Sequence, residues 1–337
     1  MIASPAPGAA LPPARAPIII AHRGASADRP EHTLAAYALA IEQGADFIEP
    51  DLVATKDHRL VARHENEISG TTDVAAHPEF AARRATRTID GAAVTGWFTE
   101  DFSLAELRTL RVRERLPQLR GTAHDGEAQI PTLEEIIALA KAATARTGRT
   151  IGIYPETKHP SYFRKLGLAL EPVLLAALDA AGWTHADSPV FIQSFEVGNL
   201  RALRAQTPVR LIQLIDSGRS ADGADYDAML TPAGLKAVSS YANGIGPNRD
   251  RIIPRDAKGV LGEPTTLVAD AHAAGLAVHP WTFRPENYFL ARDFRVGTDP
   301  RGRGDAAGEI KLWLDVGVDG VFSDLPAAVV QAMARSR

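Results

Sequence analysis

The chain has 337 residues, of which 45% are hydrophobic and 23% charged, a composition that suits a globular protein with a sizeable core. Its 37 basic and 41 acidic residues leave a formal charge of −4 without a long basic run, which excludes nucleic acid as the main partner. The absence of cysteine excludes disulfides, thiolate metal sites and a cysteine nucleophile, and no stretch reaches the roughly 20 apolar residues of a membrane span, so no stable membrane insertion is expected.

Residues 1–16, "MIASPAPGAALPPARA", are Pro/Ala-rich and lack both a basic n-region and a long apolar h-region; they read as a flexible leader. This start suits a periplasmic or secreted protein whose signal has been removed, and equally a cytoplasmic one. Residues 17–335 read as one domain. Short β-branched runs predict strands over 17–21, 46–52, 59–64, 150–157, 190–195, 209–215, 243–247, 276–281 and 320–324. Ala/Leu-rich stretches with 3.6-residue periodicity predict helices over 133–146, 165–181, 196–205, 265–274 and 326–334. Such alternation indicates βα units and a parallel sheet, about eight units if 59–64 pairs as an accessory to the second strand. Polar or aromatic residues recur at the strand ends: His22, Glu49 with Asp51, Glu156 with Lys158, Gln193 and Trp281. A (β/α)8 TIM barrel gathers those ends at one mouth, whereas a doubly wound sheet spreads them along a crevice, so the barrel is the expected fold. Residues 65–130 break the alternation and form a small insertion near the mouth, beside His64. Residues 216–262 and 284–309 read as further long excursions, the latter loop-like.

Glu49 and Asp51 stand two positions apart in a strand pattern, so they share a face. With Glu156 they make a hard-oxygen set suited to Ca²⁺ or Mg²⁺, or alternatively a set of salt bridges to Arg23 and Lys158. His22 and His64 end two strand runs near these carboxylates. Imidazoles so placed suit proton transfer near neutrality, and also suit structural or metal-ligating roles. Arg23 and Lys158 suit phosphate oxygens as well as charge balance. Thr33 is a candidate cap for the helix that follows Glu31-His32.

The ordered set "HRGASADRPEHTLAAYALAIEQGADFIEPDLVATKDHRLVARHE" resembles the N-terminal signature of the glycerophosphodiester phosphodiesterases, and "YPETK", "IQSFE" and "VHPWTFR" resemble later motifs of that family. The resemblance runs from about residue 17 to 330 and is nearest to the bacterial periplasmic, calcium-dependent type. It implies a TIM barrel that hydrolyses a small glycerophosphodiester to sn-glycerol 3-phosphate and an alcohol. It makes Glu49, Asp51 and Glu156 the metal ligands for Ca²⁺, with Mg²⁺ as the alternative. His22 and His64 become the acid–base pair; we read His64 as the initial base and His22 as the acid, an order that the sequence leaves open. Arg23 and Lys158 become phosphate contacts. By position, Gln193 at a strand end and Trp281 and Phe283 after His279, near the expected mouth, are read as further substrate contacts. Glu65 stands where many relatives carry Asp, and His32 where many carry Asn; neither change removes a proposed catalytic group. The competing expectations are a phospholipase D or sphingomyelinase-like lipid phosphodiesterase and a non-catalytic sugar-phosphate-binding barrel.

Overall fold

The β-branched and aromatic runs pair into sheets, as their fit to a pleated, half-buried surface dictates. The structure, a computed structural model, describes residues 16–335, so nearly all of the expected leader lies outside the described residues. The strands are β1 (Ile18–His22), β2 (Phe47–Glu49), β3 (Asp51–Ala54), β4 (Leu60–Ala62), β5 (Ala85–Ile89), β6 (Ala92–Gly96), β7 (Gly152–Ile153), β8 (Glu156–Thr157), β9 (Phe191–Ser194), β10 (Arg210–Ile215), β11 (Gly244–Pro247), β12 (Ala277–Val278) and β13 (Gly320–Ser323). One sheet has the order β13-β1-β2-β7 and a second the order β12-β11-β10-β9-β8-β3-β4. All pairs in them are parallel except β3–β4, where β4 is the antiparallel accessory to β3.

The expected strand 46–52 is cut by Pro50, which has no N–H to donate. β2 therefore stops at Glu49 in one sheet and β3 resumes at Asp51 in the other. The run 150–157 passes between the sheets in the same way. Backbone N–H groups also bridge them: Ile153 donates to Pro189 O at 3.0 Å, Phe283 to Phe322 O at 2.8 Å and Asp319 to Val278 O at 3.0 Å. Helices flank the sheets, among them Leu34–Glu42, Leu133–Thr147, Leu170–Ala180, Val197–Arg204, Leu267–Ala273, Ala306–Val316 and Pro326–Arg335. Thr33 caps the first, its Oγ1 accepting from Ala36 N at 3.0 Å. Among the described residues no helix is long and apolar enough to cross a membrane.

Three elements differ from expectation. The helix predicted over 165–181 starts only at Leu170, because Gly167 takes a φ of +75° and ends a separate helix, Pro160–Lys165. The loop-like region 284–309 ends inside Ala306–Val316, which Asp305 caps through Gly308 N. The insertion holds a hairpin, β5–β6, turned by Asp90-Gly91 with both residues at positive φ, +47° and +84°. An Asp-Gly pair between extended runs is a local hairpin signal that was legible in the sequence.

Alternation along the strands builds an inner apolar layer below a polar one. Ile20, Phe47, Tyr154, Phe191 and Phe322 pack together, with Tyr154 stacked on Phe191 at 4.9 Å and edge-on to Phe322 at 5.0 Å. Each lies two residues before a polar group: His22, Glu49, Glu156, Gln193 and Asp324. His279 joins this layer, its Nδ1 accepting from Tyr154 Oη at 2.8 Å. Burial pushes His279 down to about 4. Its folded pKa lies below the unfolded value of about 6.5, so the unfolded chain takes up the proton first. The stability that this neutral burial contributes is full above pH ~6.5 and is lost as pH falls toward 4, by about 3 kcal/mol. Thermal unfolding is therefore expected to show a Tm that falls through this window; a Tm flat from pH 6.5 to 4 would contradict a neutral buried imidazole.

Candidate active site

Strand register sets the polar ends in one row. His22 lies opposite Glu49, Asp51 opposite Glu156, and Glu156 opposite Gln193. A cavity of about 210 Å³ opens over this row, lined by His22, Arg23, Glu49, His64, Glu156, Lys158, Gln193 and Trp281, together with Arg115, Phe195, Leu214, Thr282, Arg284 and Phe322. Asp51 lies buried beneath Lys158, whose Nζ is 3.9 Å from Asp51 Oδ1 and 2.9 Å from Glu156 Oε1.

One oxygen from each of Glu49, Asp51 and Glu156 lies within 4.8 Å of the others, and all three residues are buried. Three like charges so close are costly without cations among them. Burial, then the Asp51 charge, drives Glu49 well above the usual carboxylate range. Burial also pushes Glu156 up to about 8, against the pull of Lys158 and with the Asp51 charge. Asp51 is as deeply buried, yet Lys158, Arg23 and His32 hold it well below that range. Glu49 takes its hydrogen bonds from neutral donors, Arg23 N at 2.8 Å and Gln193 Nε2 at 3.1 Å. An all-oxygen cluster of this kind, with Lys158 and Arg23 at its edge, fits a hard divalent ion.

The turn after β1 makes this geometry. Arg23 and His32 adopt positive φ, +60° and +56°, which non-glycine residues seldom do, and Gly24 follows at +88°. A Cβ at Gly24 would stand 2.7 Å from the Ala36 carbonyl carbon, so only glycine lets the turn lie against the first helix. Arg23 thereby aims its backbone N–H at Glu49 and its side chain at Glu31 (Nη1 to Oε2, 3.0 Å) and Asp51 (Nε to Oδ2, 3.3 Å). His32 is fully buried; its Nε2 donates to Asp51 Oδ2 at 2.8 Å while Nδ1 accepts from Tyr37 Oη at 2.8 Å.

Each cavity histidine has a carboxylate behind it. His22 Nδ1 donates to Asp324 Oδ1 at 2.6 Å, leaving Nε2 on the side of Thr282 Oγ1 at 3.5 Å. His64 Nδ1 lies 2.8 Å from Glu65 Oε1. Burial and then the Arg23 charge push His22 down to about 4 despite Asp324. Burial, Arg23 and Lys158 also hold His64 below the usual imidazole range.

The structure thus brings together His22, His64, Arg23, Lys158, Gln193, Trp281 and the three carboxylates. Trp281 packs edge-on to Phe195 at 5.8 Å, and its Nε1 donates to Gly246 O at 2.7 Å. Phe283, expected as a substrate contact, is a correction. It is 1% exposed and packs edge-on to Trp313 at 5.1 Å, beneath Arg249, away from the cavity. Its backbone pairs with Phe322, and this turns the ring outward into the packing under the helices. Phe283→Ala is expected to lower stability by about 3–5 kcal/mol. Urea titration checks it: a loss below ~1 kcal/mol would show that the ring is not a core element.

Sequence reasoning missed Asp324, Arg115, Thr282 and Arg284. Asp324 carried a signal, as the polar residue that ends the last strand run. Arg115 carried none: it comes from the insertion, where its Nε donates to Glu31 Oε2 at 2.8 Å.

Comparison with known proteins gives the family and the fold. The model of the Glycerophosphoryl diester phosphodiesterase family matches residues 22–328. A curated glycerophosphodiester phosphodiesterase of Arabidopsis thaliana is 36% identical over 329 residues, covering 93% of this chain and 85% of the relative. One of Haemophilus influenzae is 30% identical over 342 residues, covering 93% and 89%. The fold is similar to a putative glycerophosphoryl diester phosphodiesterase of Silicibacter pomeroyi, with a TM-score of 0.68, 22% identity and coverage of 95% and 94%. It is also similar to an Oleispira antarctica phosphodiesterase solved in complex with its product sn-glycerol-3-phosphate, with a TM-score of 0.62, 21% identity and coverage of 95% and 97%.

Proposed function

This chain belongs to the glycerophosphoryl diester phosphodiesterase family, and on that footing we propose that it hydrolyses glycerophosphodiesters to sn-glycerol 3-phosphate and an alcohol, by histidine acid–base catalysis with a divalent metal. The observation that carries this reading is the convergence of His22 and His64 on one cavity with Glu49, Glu156, Arg23 and Lys158, above the buried Asp51. The hydrogen bonds from Phe283 to Phe322 and from Ile153 to Pro189 support reading the parallel strands as a closed (β/α)8 barrel with this cavity at its C-terminal mouth. The wording of residues 154–158, 193–195 and 279–284 supports the calcium-dependent type and, with it, a periplasmic or secreted location.

Glu49, Asp51 and Glu156 would hold Ca²⁺, with Mg²⁺ as the alternative. A bound ion there supplies Lewis acidity that lowers the pKa of a glycerol hydroxyl and neutralises charge gathering on phosphorus. Lys158 and Arg23 draw the phosphate to the carboxylate row and orient it. His64, as initial base, takes the proton of the glycerol 2-hydroxyl as that oxygen bonds to phosphorus. His22 gives a proton from Nε2 to the alcohol oxygen as the P–O bond to it breaks. Water then opens the cyclic phosphate with the two roles exchanged. An arriving phosphate anion offsets the Arg23 and Lys158 charges that keep the imidazoles neutral. It therefore favours the imidazolium of His22 beside Asp324.

The test is hydrolysis of glycerophosphocholine by chelator-treated protein, with Ca²⁺ or Mg²⁺ restored separately and glycerol 3-phosphate followed by a coupled assay. Metal-restored release of glycerol 3-phosphate and choline is expected. Choline phosphate as product would mean that the opposite ester bond breaks. No release from folded protein with either metal would transfer the reading to a lipid substrate or to binding alone.

A further inference from the structure

The two cavity histidines are backed by carboxylates of different character. Asp324 behind His22 is buried and is itself fixed by Arg120 Nη2 at 2.5 Å and Arg284 Nε at 3.2 Å. Glu65 behind His64 has a side chain about half exposed, at 49%, on a loop that leads into the insertion. A long, exposed carboxylate has rotamer freedom and does not by itself hold an imidazole in one orientation.

Two residues in uncommon backbone conformations supply a clamp. Asp90 turns the β5–β6 hairpin at φ +47°, and His159 stands at φ +45° just before the helix Pro160–Lys165. Left-handed non-glycine residues are infrequent, and they gather where the surrounding structure requires a particular side-chain placement. Here the two side chains meet. His159 Nδ1 donates to Asp90 Oδ2 at 2.7 Å, and His159 Nε2 donates to Glu65 Oε2 at 3.2 Å. The other oxygen of Glu65 is the one 2.8 Å from His64 Nδ1. With a carboxylate on each nitrogen, His159 is drawn toward its protonated form; burial opposes the charge, but Asp90 and Glu65 raise its pKa to about 9.

We infer that Asp90 and His159 are positioning residues for His64: they fix Glu65, whose Oε1 lies 2.8 Å from His64 Nδ1, and through it favour the Nδ1-protonated form and one orientation of that imidazole at the cavity. The hairpin of the insertion thus serves the chemistry from outside the strand row. This inference rests on the proposed role of His64 as a proton-transfer group, and it extends that role to a chain of four residues from three segments.

Two substitutions preserve the backbone while removing the contacts. Asp90→Gly keeps a left-handed hairpin turn, and His159→Asn retains a residue type that tolerates positive φ. Each variant of the full chain is assayed on glycerophosphocholine with metal restored, and ¹⁵N spectra of the His64 imidazole are recorded on the metal-free protein without substrate. The expected result is a fall in kcat of about 10-fold with KM within about twofold, since misplacement of a reacting group by ~1 Å costs up to ~10²-fold. The His64 spectrum is expected to shift from the Nδ1-protonated tautomer toward a mixture. Unchanged kcat with an unchanged tautomer would overturn the inference. So would a rise in KM alone, which would make the chain a feature of substrate binding. If the parent protein released no glycerol 3-phosphate, the functional reading would fail, while the spectra would still decide whether Asp90 and His159 orient His64.

Discussion

His22→Ala is expected to lower turnover of glycerophosphocholine by about 10²-fold or more, and His64→Ala to do the same. The loss reports chemistry rather than collapse, because the partners left behind stay satisfied. Asp324, once freed of His22, keeps Arg120 and Arg284 within ion-pair distance, so no buried charge is orphaned. Glu65 keeps His159. KM should move much less than kcat, given the proposed role of Arg23 and Lys158, rather than the imidazoles, in meeting the ground-state phosphate. The double variant should lose far less than the product of the two single losses, because groups that serve one proton-transfer step do not act independently. Turnover within a few-fold of the parent at saturating metal, for either single variant, would remove that histidine from the proton-transfer step.

Chelation is expected to have an effect of the same order: a loss of about 10²-fold or more in glycerol 3-phosphate release, reversed by added Ca²⁺. The physical reason is the cluster itself. Glu49 and Glu156 are pushed upward by burial and by neighbouring charge, so a cation that lets all three carboxylates ionise gains more here than at a surface site. The same linkage predicts stabilisation without any substrate. At an ion concentration a hundredfold above its Kd, unfolding becomes costlier by about 2.7 kcal/mol, read as a rise in Tm. Asp51→Asn should abolish that rise, because it removes the carboxylate that Lys158 and Arg23 keep ionised. A Tm and a turnover that both ignore chelator and added ion would show that the three carboxylates are held by Lys158 and Arg23 alone.

Much of the candidate site was legible because its signals are local. His22, Glu49, Asp51, Glu156 and Gln193 each end a short apolar run, and the strand period of two places each on the face of the apolar residue two positions before it. The Asp90-Gly91 turn was legible by the same kind of local rule, although its service to His159 was not. Phe283 was misread because residues 279–284 look like a strand end, whereas β12 stops at Val278 and the Phe283 backbone turns to pair with Phe322.

The sequence by itself determined the α/β alternation, the carboxylate set and the two histidines, since side-chain alternation, proline breaks and caps act over a few residues. Only the tertiary structure decided which partners these groups take. Asp324 meets His22 across 302 positions of chain because β13 pairs beside β1, and Arg115 meets Glu31 because the insertion folds back over the turn after β1. Such pairings depend on strand register and on the burial that makes an unpaired charge costly, and both exist only once distant segments have packed together.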